Sequence, residues 1–357
     1  MQRFPLDFYS DTKTQPTPAM RRVMADAEVG DEQHREDPTV ARLLERVADL
    51  LGAESAIFVP SGTMANAVAV LVHCRPGDEV IAHESAHLFH YEAGGLAALA
   101  GAMPRPVGGA RGLFDVAAVR AAMRHAVRPD LPTTRLVALE QTANLGGGAV
   151  WPLAQLAAVT HFAREAGFAT HLDGARLFNA STASGVAPRE YARCFDTVYV
   201  DFTKGLGAPF GAVLAGTRPL IEAAWRWKQR LGGSMRQAGV LAAACLHALD
   251  HHVERLAEDH ANARELARLL ADVEGIAVEP VETNMVFIDV AATGLSAQAF
   301  NDALAPDGIR MSPQGATRLR AVTHLDIRVD DVIACARAVR RIAADRRGTP
   351  PAGDSRP

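Results

Sequence analysis

The first two thirds of the chain repeat one pattern: a short apolar run, a turn of small or polar residues, then a stretch whose apolar positions recur at helical spacing. The runs at 56–59, 79–82, 135–140, 168–172 and 197–200 read as buried strands. The intervening helical stretches fall near 62–73, 89–98, 116–125 and 153–166, with an earlier helix over 38–51. That helix has its own start signal, Asp37 as N-cap and Pro38 at the first helical position. Strands alternating with helices predict an α/β fold with a mainly parallel sheet between helices. After Met235 the pattern changes. Two long helical stretches cover about 237–270, short strands follow near 276–278, 285–290, 309–311 and 319–323, and a helix near 332–343 closes the series. The expected organisation is an N-terminal arm (1–20), a large α/β domain (21–240), a smaller α+β domain (241–345) and a polar, Pro/Gly-rich tail (346–357) expected to be disordered.

In an open α/β sheet, ligands sit outside the carboxyl ends of the strands. The residues there are Ser61–Thr63, His83–His87, Thr142–Asn144, Asp173 and Lys204. Lys204 stands out because the chain holds three lysines, Lys13, Lys204 and Lys228, against thirty-four arginines. Where any cation serves, this composition uses Arg. A retained lysine suggests a position where Arg would fail, since an amine can lose its proton and attack a carbonyl whereas a guanidinium cannot. Lys204 follows a strand end inside the glycine-rich turn Lys204-Gly-Leu-Gly207, and is read as a Schiff-base lysine. The bland alternative is an exposed turn lysine.

Two further motifs bear on that choice. Pro60-Ser-Gly-Thr63 places small residues at a helix start after a strand, an anion site if the backbone N–H groups are free and an ordinary Ser61 N-cap if they are not. His171-Leu-Asp-Gly-Ala-Arg176 puts Asp173 at a strand's carboxyl end. A carboxylate there can keep a pyridine nitrogen protonated, or merely pair with Arg176. A phosphate anchor, an Asp and a Lys at neighbouring strand ends match what pyridoxal phosphate requires. His83-Glu-Ser-Ala-His87 fits the zinc pattern H-E-x-x-H, but His83 directly follows a strand and the helical geometry fails, so no metal is expected. His247 and His251 share a helix face with Asp250 and Glu254 and read as solvated.

Composition narrows the class. A net charge of −4 gives no reason to expect nucleic acid or an anionic membrane as partner. Four scattered cysteines without a C-x-x-C pair suit a reducing compartment. With no signal-peptide core and no long apolar run, the expectation is a cytoplasmic protein.

Taken together the motifs resemble the L-threonine aldolases, fold-type-I pyridoxal-phosphate enzymes of the β-eliminating lyase superfamily. The resemblance spans roughly residues 7–342. It rests on Ser10-Asp-Thr12, Glu36-Asp-Pro-Thr39, Pro60-Ser-Gly-Thr63, Glu92-Ala-Gly-Gly95, His171-Leu-Asp-Gly-Ala-Arg176, Lys204-Gly-Leu-Gly207, Gly232-Gly-Ser-Met-Arg-Gln-Ala-Gly239, Thr283-Asn284 and Val322-Thr-His-Leu-Asp326. It implies retro-aldol cleavage of threonine, allo-threonine or related β-hydroxy-α-amino acids to glycine and an aldehyde. The alternative outcomes are β-elimination or transfer of the glycine unit. It implies that Lys204 carries the cofactor and Asp173 pairs with its ring nitrogen. Ser61, Gly62 and Thr63 would hold its phosphate, with Arg236 reaching over from a neighbouring subunit of a homodimer or homotetramer. His87 would stack on the ring and serve as candidate base, and Ser10, Arg176 and Arg320 would bind the substrate carboxylate. Three positions depart from the family: Ala143 replaces a histidine near the substrate hydroxyl, His34 a loop tyrosine, and Tyr9 an arginine. Ala143 should leave room for β-substituents bulkier than methyl, such as phenyl.

Overall fold

The computed structural model describes residues 4–124 and 129–347. The last position of the helix expected over 116–125 lies outside them, as does the tail from 348 onward. The chain divides into two compact units, Gln15–Glu254 and a unit that combines Met1–Thr14 with Arg255–Pro357. The boundary therefore falls beyond the expected 240. The helix Gly239–His251 packs on the helices Pro18–Ala25 and Pro38–Leu51 of the larger unit. The N-terminal arm ends by Thr14, because Leu6–Asp7 pairs in parallel with Ile309–Arg310.

The larger unit is built on a seven-stranded sheet. Its strands are β1 (Ser55–Val59), β2 (Glu79–His83), β3 (Met103–Val107), β4 (Thr134–Glu140), β5 (Ala169–Gly174), β6 (Thr197–Asp201) and β7 (Ala212–Gly216). The spatial order is β1-β7-β6-β5-β4-β2-β3. All pairings are parallel except those of β7, which runs antiparallel to both β6 and β1. The central strands are buried on both faces, so they read as continuous apolar runs. One face is covered by Gly62–His73 and Arg218–Arg230, whose apolar positions meet Ile57, Val59 and Leu214.

The smaller unit carries a four-stranded antiparallel sheet in the order Ser312–Pro313, Arg318–Val322, Met285–Asp289, Ala277–Val278. Phe8, Leu266, Phe300 and Val339 pack in its core, between this sheet and the helices Leu256–Leu270 and Val329–Arg347. The last helix thus runs to Arg347, past the residue at which the tail was expected to begin. Among the described residues no helix is long and apolar enough to cross a membrane.

Candidate active site

β6 ends at Asp201, and the chain turns back through 202–211 into β7. Asp201 organises this turn. Its Oδ1 accepts from Thr203 N and Oγ1, both at 2.7 Å, and its Oδ2 accepts from Lys204 Nζ at 2.5 Å. The Lys204 side chain is 18 % exposed and that of Asp201 only 4 %. The turn closes on itself through Gly207 N to Lys204 O and Ala208 N to Phe202 O. Gly211 has φ 106°, and a Cβ there would lie 2.4 Å from the Phe58 ring, so no side chain fits. The helix Gly239–His251 supports the turn from behind. Cys245 Sγ donates to Phe210 O, and His252 Nδ1 donates to Leu206 O at 2.7 Å.

The helix Gly62–His73 starts directly after β1. Ser61 caps it, its Oγ accepting from Met64 N at 3.2 Å, while its backbone is extended. The cap thus coexists with the other free N–H groups of the first turn, which with the helix dipole favour an anion. A Cβ at Gly62 would come 3.0 Å from the Tyr199 hydroxyl and 3.1 Å from Asp201 Oδ2. This close approach places the helix start beside the carboxylate that holds Lys204. Ser61 and Thr63 are exposed and Gly62 is buried.

Asp173, at the end of β5, is buried yet ionised. Ala175 N donates to its Oδ1 at 3.1 Å and Asn66 Nδ2 to its Oδ2 at 2.8 Å. Burial alone would raise its pKa. The charge of His87, the hydrogen bonds from Asn66 and Tyr199, and the charge of Lys204 bring it below the ordinary carboxylate value. His87 sits opposite: its Nδ1 bonds Glu92 Oε1 at 2.9 Å and its backbone N donates to Glu140 Oε2 at 2.9 Å. Burial would lower His87, but the Glu92 hydrogen bond and the charges of Asp173 and Glu140 raise it, favouring the imidazolium. Glu140 is pushed up to about 7, by burial first and the Asp173 charge second. Its other oxygen accepts from Asn144 N at 2.9 Å, so one carboxylate ties His87 to the 141–144 segment.

The structure therefore brings Lys204, Asp173, His87 and the start of the Gly62 helix together. Arg176 is buried just after Asp173, with its N donating to Gln141 O. Ala143 is buried too, but the space expected beside it is closed. A Cβ on Gly112 would lie 2.7 Å from the Ala143 methyl and one on Gly146 3.1 Å from it. The adjoining cavity, lined in part by His83, Phe114 and Glu140, measures ≈ 10 Å³, room for about one water and not for a phenyl ring. Arg236 is exposed and pairs with Asp31 at 2.8 Å, and His34 is exposed on the turn following Asp31. Ser10 and Arg320 belong to the smaller unit. There Ser10 caps the turn Asp11–Lys13, and Arg320 Nη2 donates to Tyr9 O at 3.3 Å.

Sequence reading gave no role to Asn66, Glu92, Glu140 or Tyr199. Glu140 had a usable signal, since it ends an apolar run as Asp173 does. Lys228 was also passed over. It is fully buried, paired with Glu32 and 4.8 Å from the Trp225 ring centroid, a second place where a bulky guanidinium would not serve. Two larger grooves, of ≈ 430 and ≈ 720 Å³, are lined by none of Lys204, Asp173 and His87. Convergent chemistry, not cavity size, marks the candidate site.

His83 and His87 do not form a metal pair. His83 ends β2 and engages Ser85 Oγ and Gly109 O, while His87 begins the short helix His87–His90. Ligand atoms of His87, Glu92 and Asp173 do lie within 4.8 Å of one another. Asn66 Nδ2, however, donates to both carboxylates, at 2.6 and 2.8 Å, and directs its N–H dipoles to where a cation would sit. Chelator-treated, metal-free protein is expected to keep its activity. Stoichiometric zinc whose removal abolishes turnover would reverse this expectation.

A family model, Beta-eliminating lyase, matches residues 7–293. The chain belongs to the β-eliminating lyase family. Within this family it groups with the low-specificity L-threonine aldolases. It is 41 % identical over 341 residues to a probable low-specificity L-threonine aldolase 2 of Arabidopsis thaliana, covering 92 % of this chain and 96 % of the relative. It is 40 % identical over 326 residues to the low specificity L-threonine aldolase of Escherichia coli K12, covering 90 % and 94 %. The fold matches a Leishmania major threonine aldolase structure with a TM-score of 0.82 at 22 % identity, over 95 % of this chain and 100 % of that one. The fold is thus fold type I, and the cofactor of this family is pyridoxal phosphate. The residues fit that group. An amine, a helix start and a buried carboxylate kept ionised by nearby positive charge and hydrogen-bond donors stand together, each suited to one part of it.

Proposed function

We propose that this enzyme is an aldolase that cleaves β-hydroxy-α-amino acids of the threonine class to glycine and an aldehyde. The observation that carries the reading is the juxtaposition of Lys204, the Gly62 helix start and ionised Asp173 in a chain of this family. Lys204 would hold the cofactor covalently, the amides of Gly62 and Thr63 would receive its phosphate, and Asp173 would keep its ring nitrogen protonated. When bound, pyridoxal phosphate supplies an electron-accepting ring that stabilises the charge left at Cα as the Cα–Cβ bond breaks. The protein's own task is orientation and proton handling. The Arg176 guanidinium suits a substrate carboxylate and would fix which Cα bond is aligned for cleavage. His87 is the candidate to take the β-hydroxyl proton. Because its environment favours the imidazolium, the competent fraction grows as pH rises through its elevated pKa.

The test is a screen of threonine, allo-threonine and phenylserine in which glycine and aldehyde are quantified beside ammonia and keto acid. Glycine and aldehyde in equal amounts support the aldolase. Ammonia and keto acid as the main products would replace it with β-elimination.

Two finer proposals accompany this reading. First, Ala143 governs packing at the Gly112 turn more than room for the substrate. Ala143→His should lower stability by about 1–3 kcal/mol through overpacking and leave the threonine-to-phenylserine preference within about threefold. Thermal unfolding and kcat/KM for both substrates check this. A stable variant with a strongly shifted preference would show that position 143 faces the substrate. Second, the enzyme acts as a cytoplasmic homo-oligomer in which exposed Arg236 serves a neighbour's phosphate. Mixing Arg236→Ala with Lys204→Ala subunits should then restore part of the activity. Verified hybrids without recovery would count against a shared site.

A further inference from the structure

Behind Asp173 a line of hydrogen-bonded side chains, buried except for half-buried His73, runs through the larger unit. His73 Nε2 lies 2.9 Å from Thr197 Oγ1, which lies 2.9 Å from His171 Nδ1. His171 Nε2 lies 3.0 Å from Asn66 Oδ1, and Asn66 Nδ2 reaches Glu92 Oε1 and Asp173 Oδ2. Thr197, His171 and Asn66 are each 1 % exposed.

The proton positions follow by elimination from the acceptor end. Ionised Asp173 only accepts, so the Asn66 NH₂ must face it and, beside it, Glu92, and Asn66 Oδ1 must accept. His171 Nε2 then donates. Its ring is neutral, since burial in first place, against the opposing Asp173 charge, pushes its pKa down to about 4. A neutral ring with a proton on Nε2 has an acceptor at Nδ1, so the Thr197 hydroxyl donates there and accepts from His73 Nε2–H. His73 is likewise lowered, mainly by burial. Every donor in the line points toward Asp173.

We infer that His171 is a positioning residue that holds the Asn66 amide in the one orientation that stabilises the charge of Asp173, with the Thr197 hydroxyl donating to its other ring nitrogen. The inference deepens the functional reading and rests on Asp173 as the cofactor's partner. It acts through Asn66 and leaves substrate contacts untouched. The groups facing His171 are Asp173, His73 and the Tyr199 ring, stacked at 6.2 Å between centroids. Chains of aligned hydrogen bonds polarise one another, so the full line matters more than its last bond.

The experiment begins with nitrogen NMR of wild-type protein freed of cofactor. His171 should show an unprotonated Nδ1 and a protonated Nε2, unchanged between pH 6 and 8. A proton on Nδ1, or titration within that range, overturns the inference. Variants then test the consequence. His171→Leu removes the donor to Asn66, whereas His171→Gln retains an amide donor. In the leucine variant, carbon NMR of the Asp173 carboxyl should report an upward shift of its titration, and kcat should fall about tenfold with KM within about twofold. The glutamine variant should recover most of both. Equal losses in two folded variants, or an unmoved Asp173 titration, overturn the positioning role. The carboxyl titration and the tautomer are read without cofactor. They therefore stand or fall separately from borohydride capture at Lys204, which tests the functional reading.

Discussion

Lys204→Ala should lose covalent capture of pyridoxal phosphate and at least about 1000-fold in kcat/KM, the largest effect expected of any single change. The argument is chemical and local. An amine is needed to bond the cofactor's aldehyde, and Lys204 is the lysine at the carboxyl end of the sheet. Lys13 lies in the other unit and Lys228 is buried against Glu32. Borohydride treatment followed by peptide mapping reads the result directly: wild type carries the adduct on Lys204, the variant carries none. An adduct on Lys13 or Lys228 in wild type would move the site. Thermal stability should fall as well, since Asp201 keeps its two Thr203 donors but loses its cation in a nearly buried place.

Asp173→Asn should cost about 100- to 1000-fold in kcat, the scale of a lost preorganised electrostatic contact in a water-poor site. Asparagine keeps the size of the side chain and can still accept from Ala175 N, so folding is expected to survive. It cannot carry the charge, and its NH₂ would face the NH₂ of Asn66 across a distance set for donor and acceptor. The change should appear mainly in kcat with cofactor still trapped at Lys204. Activity within about threefold of wild type would remove Asp173 from its role.

The parts of the candidate site that were legible in the sequence are those at strand ends, because an apolar run followed by one polar residue marks a position and a direction at once. Lys204 and Asp173 are such residues. The larger sheet was legible except for β3 and β7. β3 contains Pro104 and Pro106, tolerable because it lies at the sheet edge. β7 directly follows the lysine turn, and its Ala212-Val-Leu-Ala-Gly216 sequence does not state that it runs antiparallel. The Asn66 network was illegible for another reason. Its partners are far apart in sequence, and each polar residue sits in a segment whose periodicity only declares it buried. Ala143 shows the opposite failure. Replacing a large residue by a small one suggests a void, yet here the turn at Gly112 packs closely against Ala143.

The antiparallel β7 also has a consequence for how the enzyme comes into being. Lys204 sits on a tight connection between β6 and β7 and takes its shape from near neighbours in sequence. The Gly62 helix start follows β1, which joins the sheet by pairing Ser55–Val59 with Ala212–Gly216, far along the larger unit in sequence. On the ribosome, the candidate phosphate cradle emerges long before the partner strand of β1 exists. Such a long-range pairing is slow to form, so the amine is shaped early and the cradle late. A cofactor held by both would therefore meet its full site only in the finished unit.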